Sequence, residues 1–150
     1  MTIPTINPTT RHADQPAAAK EQWISSLTDM VTVHAWHDPV VEANPLAVPT
    51  NSDEAAIFWT PSVGCLAVAM AVRFASYAAQ APSTWAVDDI ALTFGVRESV
   101  TRVRHALDRL EGFNIICRDD RTVWVRLWLP PLGYRQQSKL PRYLAEVYPS

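Results

Sequence analysis

The chain has 150 residues, a formal net charge of −2, 48% hydrophobic residues and 6 tryptophans, which is enough apolar side chain for one packed domain with an arm and too much for wholly disordered chain. Its longest apolar run, residues 63–72, is too short to span a bilayer, and no basic start, apolar middle and cleavage site open the chain, so a soluble cytoplasmic protein with no membrane contact is expected. Charge is uneven: residues 1–60 carry two basic and seven acidic side chains, whereas residues 61–150 carry eleven and eight, a modest surplus of +3.

Residues 1–19 are rich in Thr, Pro and Ala without periodicity and read as a flexible arm. Residues 20–60 read as an extension packing on the core. Within it Trp23, Ile24 and Leu27 fall at helical spacing, so a short helix is expected over 20–30. Residues 31–36 alternate as a strand halted by Asp38-Pro39. Pro45 and Pro49, with Asn44, Asn51 and Ser52, predict a covering loop over 40–52, after which helical spacing resumes over 53–59 and stops before Pro61. His34, His37 and Asp38 are metal-ligand types, but strand spacing puts the two imidazoles on opposite faces, so no metal site is expected. Cys65 and Cys117 are placed facing the core as reduced thiols, with no disulfide framework and no zinc.

The longest predicted helix covers residues 62–80, with Val63, Leu66, Ala67, Met70, Phe74 and Tyr77 as its buried stripe. A second helix follows over 87–94, where Val87, Ile90, Ala91 and Phe94 recur at helical spacing and Asp88 and Asp89 occupy the first turn. Gly95 supplies a turn. A third helix over 97–111 carries Val100, Val103, Ala106, Leu107 and Leu110 on one stripe and Glu98, Thr101, Arg102, His105 and Arg109 on the other, stopping at a left-handed Gly112. Residues 113–117 are strand formers. Asp119-Asp120 makes a hairpin tip, and residues 122–129 return with Val123, Val125, Leu127 and Leu129 on one face and Trp124, Arg126 and Trp128 on the other, until Pro130-Pro131 ends the strand. Residues 133–150 form a tail broken at Pro141, with a turn and one short helix.

Helix, Gly turn, amphipathic helix and two-stranded ribbon in this order suit a winged helix-turn-helix over residues 61–132. The expected fold is therefore α+β, mainly α, with a two-stranded C-terminal wing and an N-terminal extension. The run Val87-Asp88-Asp89-Ile90-Ala91-Leu92-Thr93-Phe94-Gly95-Val96 looks like the first helix and turn of many bacterial winged helix regulators. A longer frame is formed by Trp36-His37-Asp38-Pro39, Phe58-Trp59 with Pro61-Ser62-Val63-Gly64, Arg109-Leu110-Glu111-Gly112-Phe113, and Leu129-Pro130-Pro131-Leu132 with Arg135 and Leu140-Pro141. From about residue 31 to the C-terminus it resembles a group of small, uncharacterised actinobacterial winged helix proteins. The chain departs from that group over residues 42–53, where Ala43-Asn44-Pro45-Leu46 replaces a compact Gly-His-Asp-Pro-Arg type motif. The resemblance implies a prokaryotic or phage DNA-binding regulator.

In that reading Ser99, Thr101, Arg102 and His105 lie near base edges, with Arg97 opening the helix and Arg104, Arg109, Arg118 and Arg121 nearer phosphates. Glu98 is a candidate i, i+4 partner of Arg102. The expected partners are double-stranded DNA and a second copy in a homodimer that aligns two half-sites. No cofactor is expected, and no nucleophile, base and orienting group can be connected, so no enzymatic activity is expected either. The alternative is a protein-interaction module using the aromatic hairpin and the acidic N-terminal part. Trp124 and Trp128 are expected to pack on the segment containing Trp36, with an exposed partner-binding strip as the other outcome.

Overall fold

The computed structural model describes residues 23–149; the arm expected over residues 1–19 lies outside them. The first strand, β1 (Met30–Trp36), alternates as its sequence requires, with Val31 and Val33 fully buried. Residues 23–29 do not form the expected helix. Trp23 and Ile24 are buried all the same, and the Asp29 carboxylate accepts hydrogen bonds from the backbone N–H groups of Ser25 and Ser26 at 2.9 and 3.0 Å. That turn uses the amides a helix would have to leave unpaired at its start.

After Asp38 the chain makes one helical turn, α1 (Pro39–Glu42), where only a loop was expected. Asp38 caps it by accepting from Val40 N–H at 3.1 Å, and Pro39 fits at the first helical position because its missing N–H has no role there. The ribbon strand β2 (Val48–Pro49) then leads to α2 (Asp53–Val63), capped by the Ser52 hydroxyl at 3.2 Å from Ala55 N–H. This helix runs through Pro61 instead of stopping before it, with Pro61 and Ile57 both on the exposed side, where a carbonyl lacking its helical partner meets water.

Gly64, at φ +99° and ψ 154°, divides what the sequence predicts as one helix over 62–80. From it starts α3 (Cys65–Ala78), whose Ala67, Met70, Phe74 and Ala75 are buried against the sheet, whereas Tyr77 is exposed and Cys65, expected in the core, faces outward. Cys117 is buried, and neither cysteine is in a disulfide.

A short strand not anticipated from the sequence, β3 (Ser83–Ala86), leads into α4 (Val87–Thr93) and α5 (Val100–Gly112). The hairpin β4 (Ile116–Asp119) and β5 (Thr122–Arg126) follows, then β6 (Trp128–Leu129) and two four-residue helices, α6 (Tyr134–Gln137) and α7 (Arg142–Ala145), where one was expected. The main sheet has the order β3-β1-β5-β4. β1 runs antiparallel to β3 (Val31 opposite Trp85) and parallel to β5 (Val33 opposite Val123), and β4 closes the other edge antiparallel to β5. The N-terminal extension thus supplies a central strand. A second ribbon pairs β2 with β6. The architecture is mixed helix and sheet, compatible with the α+β class. Among the described residues no helix is long and apolar enough to cross a membrane.

Arg126, expected on an outer face with Trp124 and Trp128, is 5% exposed. Its guanidinium lies 3.7 Å over the Trp36 ring, donates to the Asn114 carbonyl at 2.7 Å and pairs with the Asp38 carboxylate at 2.8 Å. Burial raises the Asp38 pKa, but the hydrogen bond and charge of Arg126, with the Val40 and Val41 N–H groups, outweigh it and hold the carboxyl below its usual range. Trp124 stacks on His34 at 6.0 Å, while Trp128 remains 39% exposed.

Candidate functional site

The α4–α5 pair is built by two local signals. Leaving α4, Gly95 takes φ +73°, and Val96 N–H returns to the Ala91 carbonyl at 2.9 Å, a left-handed helix end that glycine enters without a Cβ penalty. Residues 97–99 then form a turn instead of the first turn of the next helix, because Glu98 is itself left-handed at φ +61° and Ser99 caps α5 by accepting from Arg102 N–H at 3.2 Å. Glu98 therefore lies outside the helix and has no i, i+4 relation to Arg102. The far end of α5 also differs from expectation: Gly112 is helical, and the left-handed residue is Asn114 at φ +60°, with Ile115 N–H bonded to the Leu110 carbonyl at 2.9 Å.

Val103, Ala106, Leu107 and Leu110 bury one face of α5, and Thr101, Arg102 and His105 stand exposed on the other, with Arg97 exposed in the turn ahead of them. None of these four is covered by the described chain. Ser99 is half-buried, and its hydroxyl is committed to the cap.

The remaining arginines of the predicted site all have internal partners. Arg104 donates to the Ile24 carbonyl at 3.2 Å and is half-buried beneath residues 23–24, whose Trp23 indole N–H also donates to Asp108 at 3.2 Å. Arg109 caps the C-terminus of α2, giving Nε to the Val63 carbonyl at 2.8 Å and Nη2 to the Ser62 carbonyl at 2.9 Å, with its guanidinium 5.7 Å from the Phe113 ring centre. These bonds fill helix-end carbonyls that otherwise have no donor, where a cation is also favoured by the dipole. Arg118 lies 4.8 Å over the Trp23 ring and 3.1 Å from Glu111. Arg121, beside the hairpin turn at Asp120 (φ +55°), pairs with Asp29 at 3.2 Å. The two Ser N–H groups, and the Arg121 charge after them, hold the Asp29 carboxyl below its usual value.

Between the start of α3 and the exposed face of α5 lies a shallow concavity of about 310 Å³, lined by Gly64, Cys65, Arg102, His105 and Arg109 among others. Gly64 offers no side-chain cap to the first turn of α3, and Arg102 and Arg109 line the same concavity. The sequence had given no sign of this juxtaposition. Its ingredients lie some 40 residues apart and meet where α3 packs on α5 and Arg109 reaches the α2 terminus. Among the described residues no three His, Cys, Asp or Glu side chains gather as metal ligands; His34 is stacked on Trp124 and His37 sits 3.4 Å from Glu42. Comparison of the chain with protein families, with characterised proteins and with solved structures finds no match.

Proposed function

We propose that α4, its glycine turn, α5 and the β4–β5 hairpin act as a winged helix-turn-helix that binds double-stranded DNA, in a cytoplasmic regulator of prokaryotic or phage type with no enzymatic activity of its own. The observation that carries this reading is the free face of α5. Thr101, Arg102 and His105 are exposed together on a helix of 13 residues, about 20 Å long by its rise per residue. Such a helix suits a major groove about 12 Å wide. Arg102 and His105 would reach base edges, and Arg97 would take a neighbouring phosphate. A homodimer would present two such helices to half-sites about 34 Å apart. Selection of bound fragments from a random duplex library, beside a sizing measurement, tests the reading. Recovery of an inverted repeat supports both activity and dimer, and no retention of any duplex at low salt refutes it.

One observation favours a second reading, a protein-interaction module. Arg104, Arg109, Arg118 and Arg121 are engaged within the molecule, which leaves fewer cations for phosphate, and Trp128 is 39% exposed on the ribbon. In that case duplex binding is absent at every salt concentration.

A further inference from the structure

A cavity of about 180 Å³ lies away from α5, between α2, the segment before β2 and the C-terminal tail. Its composition is narrow. Glu54, Phe58 and Trp59 come from successive turns of α2, Pro130 and Pro131 continue from β6, and Tyr148 closes the far side. We propose that this pocket binds the head group of an organic ammonium cation, a quaternary or methylated amine.

Three features select that class. First, among the described residues Glu54 is the one charged side chain in the lining; it is exposed, and no described Lys, Arg or His lines the cavity with it. Second, three aromatic side chains contribute to the walls, and a cation is drawn to ring faces that repel an anion. Third, Pro45, Pro130, Pro131 and Pro149 also line the space and have no backbone N–H, so a carboxylate or phosphate would meet an acidic side chain and a surface poor in donors. Alkyl groups on nitrogen suit the proline rings, whereas a bare ammonium would lose water that this lining does not replace.

Size narrows the ligand further. The cavity falls below the roughly 300 Å³ at which pockets for drug-sized ligands begin, so it matches a head group and not a fused ring system. The walls are also held in place before any ligand arrives. The Tyr148 hydroxyl accepts from Leu132 N–H at 2.5 Å, its ring meets Phe58 edge-on at 5.1 Å, and Trp59 is 4% exposed. A preset site loses less ordering entropy on binding. The inference stands apart from the DNA reading, since none of its residues is on α5.

The test uses the full chain and the indole N–H signal of Trp59 in nitrogen-correlated NMR, assigned with Trp59→Phe. Choline is titrated beside 3,3-dimethylbutan-1-ol, which has the same shape and no charge. Choline is expected to shift the signal saturably and to bind at least about tenfold more tightly than the neutral alcohol, a difference of one ion–ring or ion–carboxylate contact. Glu54→Gln should weaken choline several-fold and leave the alcohol unchanged. A peptide carrying trimethyl-lysine distinguishes the source: tighter binding than choline marks a modified protein as the ligand, and tighter binding by choline marks a free metabolite. Equal affinity for choline and the alcohol overturns the proposal, as does the absence of a saturable shift with choline and with the peptide.

Discussion

Replacing Arg102 by alanine removes one of the two arginines of the predicted interface that stand exposed without an ion pair or side-chain hydrogen bond among the described residues; the other is Arg97. On a random duplex, where binding is electrostatic and Arg102 has no matched base edge and falls to phosphate like Arg97, each phosphate neutralised contributes about 0.9 to the slope of log K against log salt, so these two cations give about −1.8 per protomer and the variant about −0.9. Raising salt from about 50 to 200 mM then lowers affinity about 12-fold per protomer for the intact chain and about 3.5-fold per protomer for the variant, each factor being squared in a dimer. Were all six arginines at phosphates, the slope would approach −5.4 and the same change would cost about 2,000-fold. Fluorescence anisotropy with a labelled random duplex separates these cases easily. Arg104→Ala serves as the control, because a side chain already bonded to the Ile24 carbonyl should leave the slope where it was. A slope near −5 per protomer in the intact chain, or an unchanged slope in Arg102→Ala, refutes the reading that internal partners withhold these arginines from DNA.

Arg126→Met should destabilise the fold by about 3–5 kcal/mol in urea denaturation, since it leaves the Asp38 carboxylate and the Asn114 carbonyl without their donor; a loss under about 1 kcal/mol would show that the pair is not buried as described. The depressed pKa of Asp38 gives a pH dependence with a definite sign: its contribution is complete above the ordinary value of 3.8 and is lost as pH falls through the lower folded value. Urea midpoints should therefore fall below about pH 4, less steeply in Asp38→Asn, and identical acid limbs would count against this assignment. Ser99→Ala removes the α5 cap and should cost about 1 kcal/mol, read as a lower melting temperature. Gly95→Ala meets no atom within 4 Å, so the strain at φ +73° alone should set its cost at about 1–2 kcal/mol; a neutral substitution would contradict the left-handed turn.

The parts of the fold that could be read from sequence are those written in local periodicity. Val87, Ile90 and Ala91 mark α4, the Val103–Leu110 stripe marks α5, and the alternation through Val123 and Val125 marks β5, each buried as its spacing predicts. What was missed depends on partners distant in the chain. β3 is four residues long and exists because β1 lies beside it. Trp23 and Ile24 keep helical spacing yet dock as an irregular segment, because burial against α5 does not require a helix. The site divides in the same way: helical spacing is enough to expose Thr101, Arg102 and His105, but no pattern near Arg109 announces that its acceptors are the carbonyls of Ser62 and Val63. Arg126 looked outward by parity, and it is Trp36, Asp38 and Asn114 that close over it.

The placement of β1 between β3 and β5 has a consequence for how the chain acquires its shape. The strand that must occupy the middle of the sheet leaves the ribosome first, and its parallel neighbour, from Thr122 onward, is made about 90 residues later. Until then Val31 and Val33 have only β3 to pair with, on one side, and pairing with β5 at such separation is slow because a long loop must close before any contact rewards it. A fragment beginning after Trp36 would in turn leave β3 and β5 facing an empty slot, with hydrogen-bonding edges open to other chains. Truncation to the helix pair and hairpin alone is thus expected to yield aggregates, and refolding of the whole chain should be limited by the arrival of its earliest strand.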